Sequence, residues 1–172
     1  EHRATSIRRY LRNIKKIPWR EAVQCVQYVQ EKTRVNPNEY CDGPLFMSWD
    51  EARVMHGRRM EIGGHTRTHP ILGHLEAEPD RTAEITGCYE DIAAEIREPP
   101  IAFAYPVGSD QAIPSDSEVQ LPKAGFSLGF SYVNARPARF CDAIRYKIPR
   151  LHSEYLDDFD RFRLGVAFSA VA

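Results

Sequence analysis

Apolar positions recur at helical spacing in three parts of the chain. They lie three or four residues apart over residues 6–17, and a second stripe of this kind starts near Trp19, after Pro18. A longer stripe over residues 80–97 ends at a pair of prolines. Ser48 with Glu51 three residues later predicts a capping box and a short helix that ends near Gly57. The longest helix is predicted to bury Ile85, Cys88, Tyr89, Ile92 and Ile96.

Short apolar runs between these stripes predict strands. The segment 115–126 predicts a helix that leads into a strand and that Pro122 shortens or kinks. Strands and helices that alternate in this way are typical of right-handed βαβ units in a mostly parallel sheet. The predicted strands are residues 59–64, 101–106, 126–133 and 146–151, with 162–168 as a fifth strand or a closing helix.

The composition is that of one globular domain. The chain has 172 residues, 42% of them hydrophobic, and a formal net charge of −1. Nothing in this balance points to nucleic acid, and no apolar run reaches the about 20 residues of a membrane span. The four cysteines are scattered, which predicts free thiols. No signal peptide is recognised in the given chain, and its location, the cytoplasm or the cell envelope, is left open.

Charge is distributed unevenly along the chain. Residues 1–34 hold nine Lys and Arg against three acids, Glu1, Glu21 and Glu31. A basic helix can meet an anionic polymer, but a solvated surface helix is the more common reason for this pattern.

Half of the six histidines lie in "EIGGHTRTHPILGHL", at His65, His69 and His74. On a helical turn, His-x-x-x-His places two imidazoles on one face, where both reach one metal ion. Two ligands do not complete a zinc site, and the alternative is a polar turn whose histidines bond carbonyls. The Gly pair before His65 puts it at the carboxyl end of a strand, where parallel α/β folds gather active-site groups.

The segment "MSWDEARVMHGRRMEIGGHTRTHPILGHL", the amphipathic helix and "FAYPVG" together resemble the polysaccharide deacetylases, also called NodB-homology or carbohydrate esterase family 4 proteins. The resemblance spans residues 47–164. It implies an α/β fold, part of a distorted (β/α) barrel whose first strands are missing. Residues 1–45 are interpreted as N-terminal helices and a loop inserted in that domain, and residues 46–172 as its C-terminal part.

The resemblance also implies roles for individual residues. His65 and His69 match the two histidine ligands of the family's H-[ST]-x-x-H-P motif and are expected to bind a divalent metal, zinc above all. Thr66 is expected to buttress the turn, and His74 to be a bystander. Tyr105 and Val107 are expected to line the substrate cleft, with the Val107 N–H stabilising an oxyanion. Tyr105 is equally well explained as a core residue at a strand end.

The chain departs from the family pattern in three ways. The T-F-D-D-G motif, which supplies the third ligand and the general base, has no match, because Asp-Asp occurs only at Asp157 and Asp158. Ala104 stands where many members have an arginine, and Arg150 is the candidate replacement. The late catalytic histidine has only His152 as a candidate.

Two classes of function follow from this comparison. The first is a metal-dependent hydrolase that removes N-acetyl groups from a glycan; a relative that acts on a small amide is a variant of it. The second is a non-catalytic carbohydrate-binding or scaffold protein with a degenerate deacetylase fold. The 172 residues by themselves are expected to be inactive and to bind metal weakly. They are also expected to form a homodimer or to pair with a missing N-terminal segment, because incomplete barrels expose sheet edges.

Overall fold

The structure is a computed structural model that describes residues 2–35, 46–133, 141–150, 159–160 and 163. Its helices occur where the apolar stripes predict them, although the first begins before the predicted residue 6 and ends before residue 17. Within the described residues they are α1 (His2–Ile14), α2 (Trp19–Thr33), α3 (Trp49–Gly57), α4 (Glu78–Ile96) and α5 (Ser117–Ala124).

The capping box at the start of α3 is confirmed. The Ser48 side chain accepts a hydrogen bond from the Glu51 N–H at 3.3 Å, and the Glu51 carboxylate accepts one from the Ser48 N–H at 2.7 Å. Two N–H groups that the helix itself cannot satisfy thereby find partners. Pro122 lies inside α5, which runs for 8 residues to Ala124 and is capped by Gly125 with φ 112°. That Pro122 shortens or kinks this helix stays a prediction.

The sheet is parallel and short. Strand β1 (Ala102–Ala104) pairs with β2 (Leu128–Phe130) so that Phe103 lies opposite Gly129. Single parallel bridges extend it on both sides, Gly64 to Phe103 and Phe130 to Ile148. Four segments therefore lie side by side in chain order, which confirms the predicted parallel arrangement. The outer two contribute one bridge each rather than the full strands predicted at 59–64 and 146–151. The fifth predicted segment, 162–168, lies almost entirely outside the described residues.

Helix α4 connects the two apolar clusters of the fold. Its Ile85 packs with Phe103 and Phe126 in the larger cluster, whereas Ile92 and Ile96 belong to a smaller one under α3. The aromatic rings of the larger cluster meet edge to face, with Phe103 and Phe126 centroids 5.2 Å apart. The predicted buried face of α4 is thus confirmed, and Cys88 in it is a free thiol, as are Cys25 and Cys141. Among the described residues, no helix combines the length and apolar character needed to cross a membrane.

Gly64 lies where the sheet meets the aromatic cluster. A Cβ placed there would stand 2.7 Å from Phe126 Cζ and 2.9 Å from Phe103 Cδ2, both in rigid, buried rings. The glycine therefore allows the first segment to approach β1 closely. This close approach fixes the position of the backbone at the next residue, His65.

Replacing Gly64 tests this close approach. We expect Gly64→Ala to lower the free energy of unfolding by about 1–3 kcal/mol, as overpacking of a filled core does. Gly57→Ala is the matched control, because a Cβ there meets nothing within 4 Å. The control should be neutral or gain up to about 1 kcal/mol, since alanine favours the helix over glycine. Urea unfolding of the two variants measures the difference, and equal midpoints would show that the contact is not tight.

Candidate functional site

The candidate site lies where the parallel segments end. His65 follows the bridge at Gly64, Val107 comes three residues after β1, and Arg150 comes two residues after the bridge at Ile148. Carboxyl ends of neighbouring parallel strands share one edge of a sheet, and ligands bind in the crevice outside that edge. The topology therefore brings together residues that are as much as 85 positions apart in the chain.

The two histidines of the motif meet through a loop and not through a helical turn. Residues 65–69 are non-helical, and Thr66 and His69 have positive φ values of 65° and 63°. The His65 and His69 rings nevertheless lie 4.8 Å apart between centroids, at an angle of 72°. The helical geometry predicted for the His-x-x-x-His spacing is thus wrong, while the expected proximity of the two rings is found.

Thr66 holds this loop in shape. Its side chain is buried, and its hydroxyl donates to the His65 carbonyl and accepts from the His69 N–H at 3.0 Å. A hydroxyl can do both at once, which explains a small hydroxyl residue at this position. These two hydrogen bonds fit the buttressing role expected for Thr66.

The orientation of His65 is set by β1. Its Nδ1 lies 2.6 Å from the Ala104 carbonyl oxygen, and because a carbonyl only accepts, Nδ1 carries the proton. Nε2 is then the nitrogen whose lone pair can bind a metal. Partial burial lowers the pKa of His65, and the nearby His69 and Arg150 charges lower it further, against the effect of the Ala104 bond. The neutral ring, which is the metal-binding form, is favoured. Ala104 contributes its backbone here, whatever side chain occupies the position.

Glu84 on α4 fixes the middle of the loop, and no sequence motif singles it out. Its carboxylate accepts hydrogen bonds from the N–H groups of Arg67 and Thr68 at 2.8 and 2.9 Å and from the Thr68 hydroxyl at 2.6 Å. Two turns later, Asp91 pairs with Arg67 at 2.7 Å. The loop that carries both histidines is thus fastened to α4 at two points.

Val107 presents an unpaired backbone donor. It is a β-branched residue with φ 61°, a left-handed conformation that such residues rarely adopt, and Gly108 follows with φ 64°. Within the described part of the chain its N–H has no hydrogen-bond partner, whereas the Gly108 carbonyl accepts from the Tyr132 N–H at 2.7 Å. This backbone strain, anchored by the Tyr132 bond, is of the kind that folds retain at functional sites.

A cavity of about 190 Å³ lies beside these groups. His69 and Val107 line it together with His74, which is half-buried; that His74 is a bystander stays a prediction. The opposite wall is the turn between α1 and α2. Its other lining residues are Ile14, Lys15, Ile17, Trp19, Ala22 and Ile71. The α1–α2 turn is therefore part of the site's surroundings, which the sequence did not indicate.

Tyr105 presents no surface to a ligand in this structure. Its side chain is wholly buried in the larger apolar cluster, and its hydroxyl donates to the Tyr146 carbonyl at 2.9 Å. Burial raises the pKa of Tyr105, so it stays protonated. Of the two alternatives for this residue, the core tyrosine at a strand end is the one that its surroundings fit.

Arg150 lies at the edge where His65 lies. Its Nε donates to the Ser131 carbonyl at 2.6 Å, its guanidinium stands 5.1 Å from the Tyr132 ring centre, and its charge reaches His65. The position fits an orienting residue, although its orienting role stays a prediction. His152, the candidate acid, falls outside the described residues.

The described residues contain no group of three or more His, Cys, Asp and Glu side chains placed to hold a metal ion. His65 and His69 supply two ligands of the right type for a metal site. Within the part of the chain that the structure covers, no carboxylate ligand joins them.

Comparisons with known proteins give the family. No curated protein matches the chain. Among solved structures, a de-N-acetylase from Aggregatibacter actinomycetemcomitans is similar over 70% of this chain and 53% of its own, with 17% identity and a TM-score of 0.55. The Streptococcus pyogenes deacetylase PplD, solved in complex with acetate, is similar over 61% of this chain and 44% of its own, with 21% identity and a TM-score of 0.48.

The chain thus spans about half the length of the structures that it matches. The likeness to the de-N-acetylase supports the fold, an α/β arrangement consistent with part of a NodB-type barrel. The model of the family described as "Polysaccharide deacetylase" matches residues 16–128, and it begins upstream of the resemblance noted in the sequence. Because this match takes in more than half of the chain, the protein belongs to the polysaccharide deacetylase family.

Proposed function

We propose that this chain is part of a metal-dependent N-deacetylase that hydrolyses the acetamido groups of a glycan. The observation that carries the proposal is the pair His65 and His69, whose ring centroids lie 4.8 Å apart and of which His69 lines a cavity together with Val107. Family membership supports the reaction class of deacetylation. The metal, the amide bond and the glycan are the proposal's own content.

In this proposal each residue of the site has a role that follows from its chemistry. His65 and His69 bind a divalent ion, zinc by the preference of imidazole. The Ala104 carbonyl orients the His65 ring, and the Thr66 hydroxyl holds the His69 backbone. Such an ion, when bound, polarises an acyl carbonyl and lowers the pKa of a water molecule. The Val107 N–H donates a hydrogen bond to the acyl oxygen as negative charge develops on it.

Two parts of the reaction are assigned less directly. Arg150 is the proposed orienting residue, and His152 the proposed acid that protonates the leaving amine. A general base and a carboxylate ligand have no candidate among the described residues near His65 and His69, in line with the missing T-F-D-D-G motif. A homodimer, or pairing with a segment that carries this motif, remains a prediction.

The second candidate is a non-catalytic carbohydrate-binding or scaffold protein. The absence of a third ligand from the described residues favours it, because two imidazoles without a carboxylate base do not activate water. The two candidates differ in whether the His pair binds metal at all. Metal binding is therefore measured before activity.

The His pair is tested by zinc binding to the 172-residue chain. We expect weak binding, which His65→Ala or His69→Ala reduces at least about tenfold, because each removes half of the ligand set. His56→Ala is the control, since His56 is a half-buried histidine outside the motif, with its Nε2 3.2 Å from the Glu98 carboxylate. Calorimetry with zinc measures the affinities. If all three variants bind alike, the pair is not a metal site and the scaffold alternative gains.

Glu84 is tested as the residue that fixes the ligand loop. We expect Glu84→Ala to lower zinc affinity roughly tenfold, the lower end of what losing an orienting partner costs a metal site. Glu90→Ala is the matched control, because Glu90 is an exposed glutamate on the same helix with no hydrogen bond to the loop. Zinc titrations monitored by calorimetry apply again. Equal losses in both variants would assign the effect to helix charge.

Activity is tested on a fluorogenic N-acetylated glycan oligomer. We expect no deacetylation by the 172-residue chain, with or without zinc, because the described residues near His65 and His69 offer no general base. The readout is free amine released over time. A clear rate that a chelator abolishes would show that the chain carries a complete site, including a general base.

A further inference from the structure

The first helix carries a row of cations that leads to the candidate site. Arg8, Arg12 and Lys15 are spaced by four and three residues, so they lie on one side of α1 and its first following residue. At the rise of an α-helix this row is about 10 Å long. Its last member, Lys15, lines the cavity that His69 and Val107 also line.

These cations are available to a ligand. All three side chains are exposed, as are those of the neighbouring Arg9 and Lys16. Within the described residues none of the five forms an ion pair, whereas Arg53, Arg67 and Arg81 elsewhere in the fold all do. Five unpaired positive charges in nine positions repel one another, and a bound anion lowers this electrostatic repulsion.

Acidic side chains line a depression that adjoins the cavity. Glu21, Glu76 and Asp80 lie there with Arg20, and His74 and Trp19 belong to both. A negatively charged chain leaving the cavity would be repelled there and attracted along α1. The distribution of charge therefore favours an anionic chain that runs along α1, away from the acidic depression.

We infer that the row Arg8–Arg12–Lys15 is a subsite for the anionic groups, carboxylate or phosphate, of a glycan whose adjoining sugar occupies the cavity beside His69. The inference rests on the proposed function, which it deepens by naming the charge of the substrate. Guanidinium and ammonium groups bind both kinds of anion. Trp19 in the cavity wall provides an apolar ring face next to them.

A glycan fits these observations better than a lipid surface. The apolar residues of α1 are partly engaged within the fold: the Tyr10 hydroxyl donates to the Cys25 carbonyl at 3.2 Å, and Ile14 is half-buried in the cavity wall. Ile7 and Leu11 are the exposed apolar pair that remains on α1. A flexible chain can follow the row into a cavity of about 190 Å³, and a bilayer cannot.

The test is binding of defined oligomers to the metal-free 172-residue chain. The probes are oligogalacturonate, which carries carboxylates, a poly(glycerol phosphate) oligomer, neutral N-acetylglucosamine oligomers and vesicles of anionic phospholipid. The double variant R12E/K15E is compared with R58E/R59E. The control makes the same change of charge at exposed arginines that precede the first parallel segment, at the opposite edge of the sheet.

We expect an anionic oligomer to bind the unaltered chain, more weakly as salt rises from about 0.05 to about 0.5 M. R12E/K15E should lower the affinity at least about tenfold and R58E/R59E at most about twofold. Preference for oligogalacturonate or for the phosphate polymer then tells carboxylate from phosphate.

Four results would overturn the inference: no binding of either anionic oligomer, equal losses in the two double variants, tighter binding of the neutral oligomers, or preferred binding to vesicles that Ile7→Ser with Leu11→Ser abolishes. The oligomers are titrated into the metal-free chain, so this readout does not require zinc binding by the His pair. Failure of the His pair to bind zinc and failure of α1 to bind anions are therefore separate outcomes.

Discussion

The parallel bridge between Gly64 and Phe103 is the contact on which the candidate site depends. The Gly64 N–H donates to the Ala102 carbonyl and the Gly64 carbonyl accepts from the Ala104 N–H, both at 2.8 Å. The next residue after the bridge, His65, then reaches the carbonyl of Ala104. A side chain at position 64 would strike the aromatic core. One residue without a side chain thus aligns a metal-binding imidazole with the end of the neighbouring strand.

The sequence predicted those parts of the fold whose cause is local. The capping box at Ser48, the buried stripe of α4 and the parallel order of the segments follow from spacing, and the structure confirms them. The family could also be recognised from short motifs around His65. The proximity of His65 and His69 was expected as well, although for the wrong geometric reason.

What the sequence did not reveal depends on contacts between distant positions. Glu84 follows the loop that it fixes by 16 residues, with no motif that marks it. The turn between α1 and α2 lies some 50 positions before His69, and only packing brings the two to one cavity. For Tyr105 the sequence left two alternatives. Successive residues at a strand end point alternately to the core and to the cleft, so a shift of one residue in register decides which side a residue faces. Side-chain chemistry is readable from sequence, while the partner of each group is not.

The attachment of the histidine loop to α4 has a thermodynamic consequence. Along two turns of that helix, Glu84 bonds the loop, Cys88 lies against its backbone and Asp91 pairs with Arg67, while Ile92 anchors the same helix in the apolar interior. Ligand binding by the two histidines and the packing of α4 are therefore thermodynamically linked. A ligand that selects the ordered loop must also stabilise the helix, and any loosening of the helix must be repaid as lost affinity, by the reciprocity that holds between binding and folding.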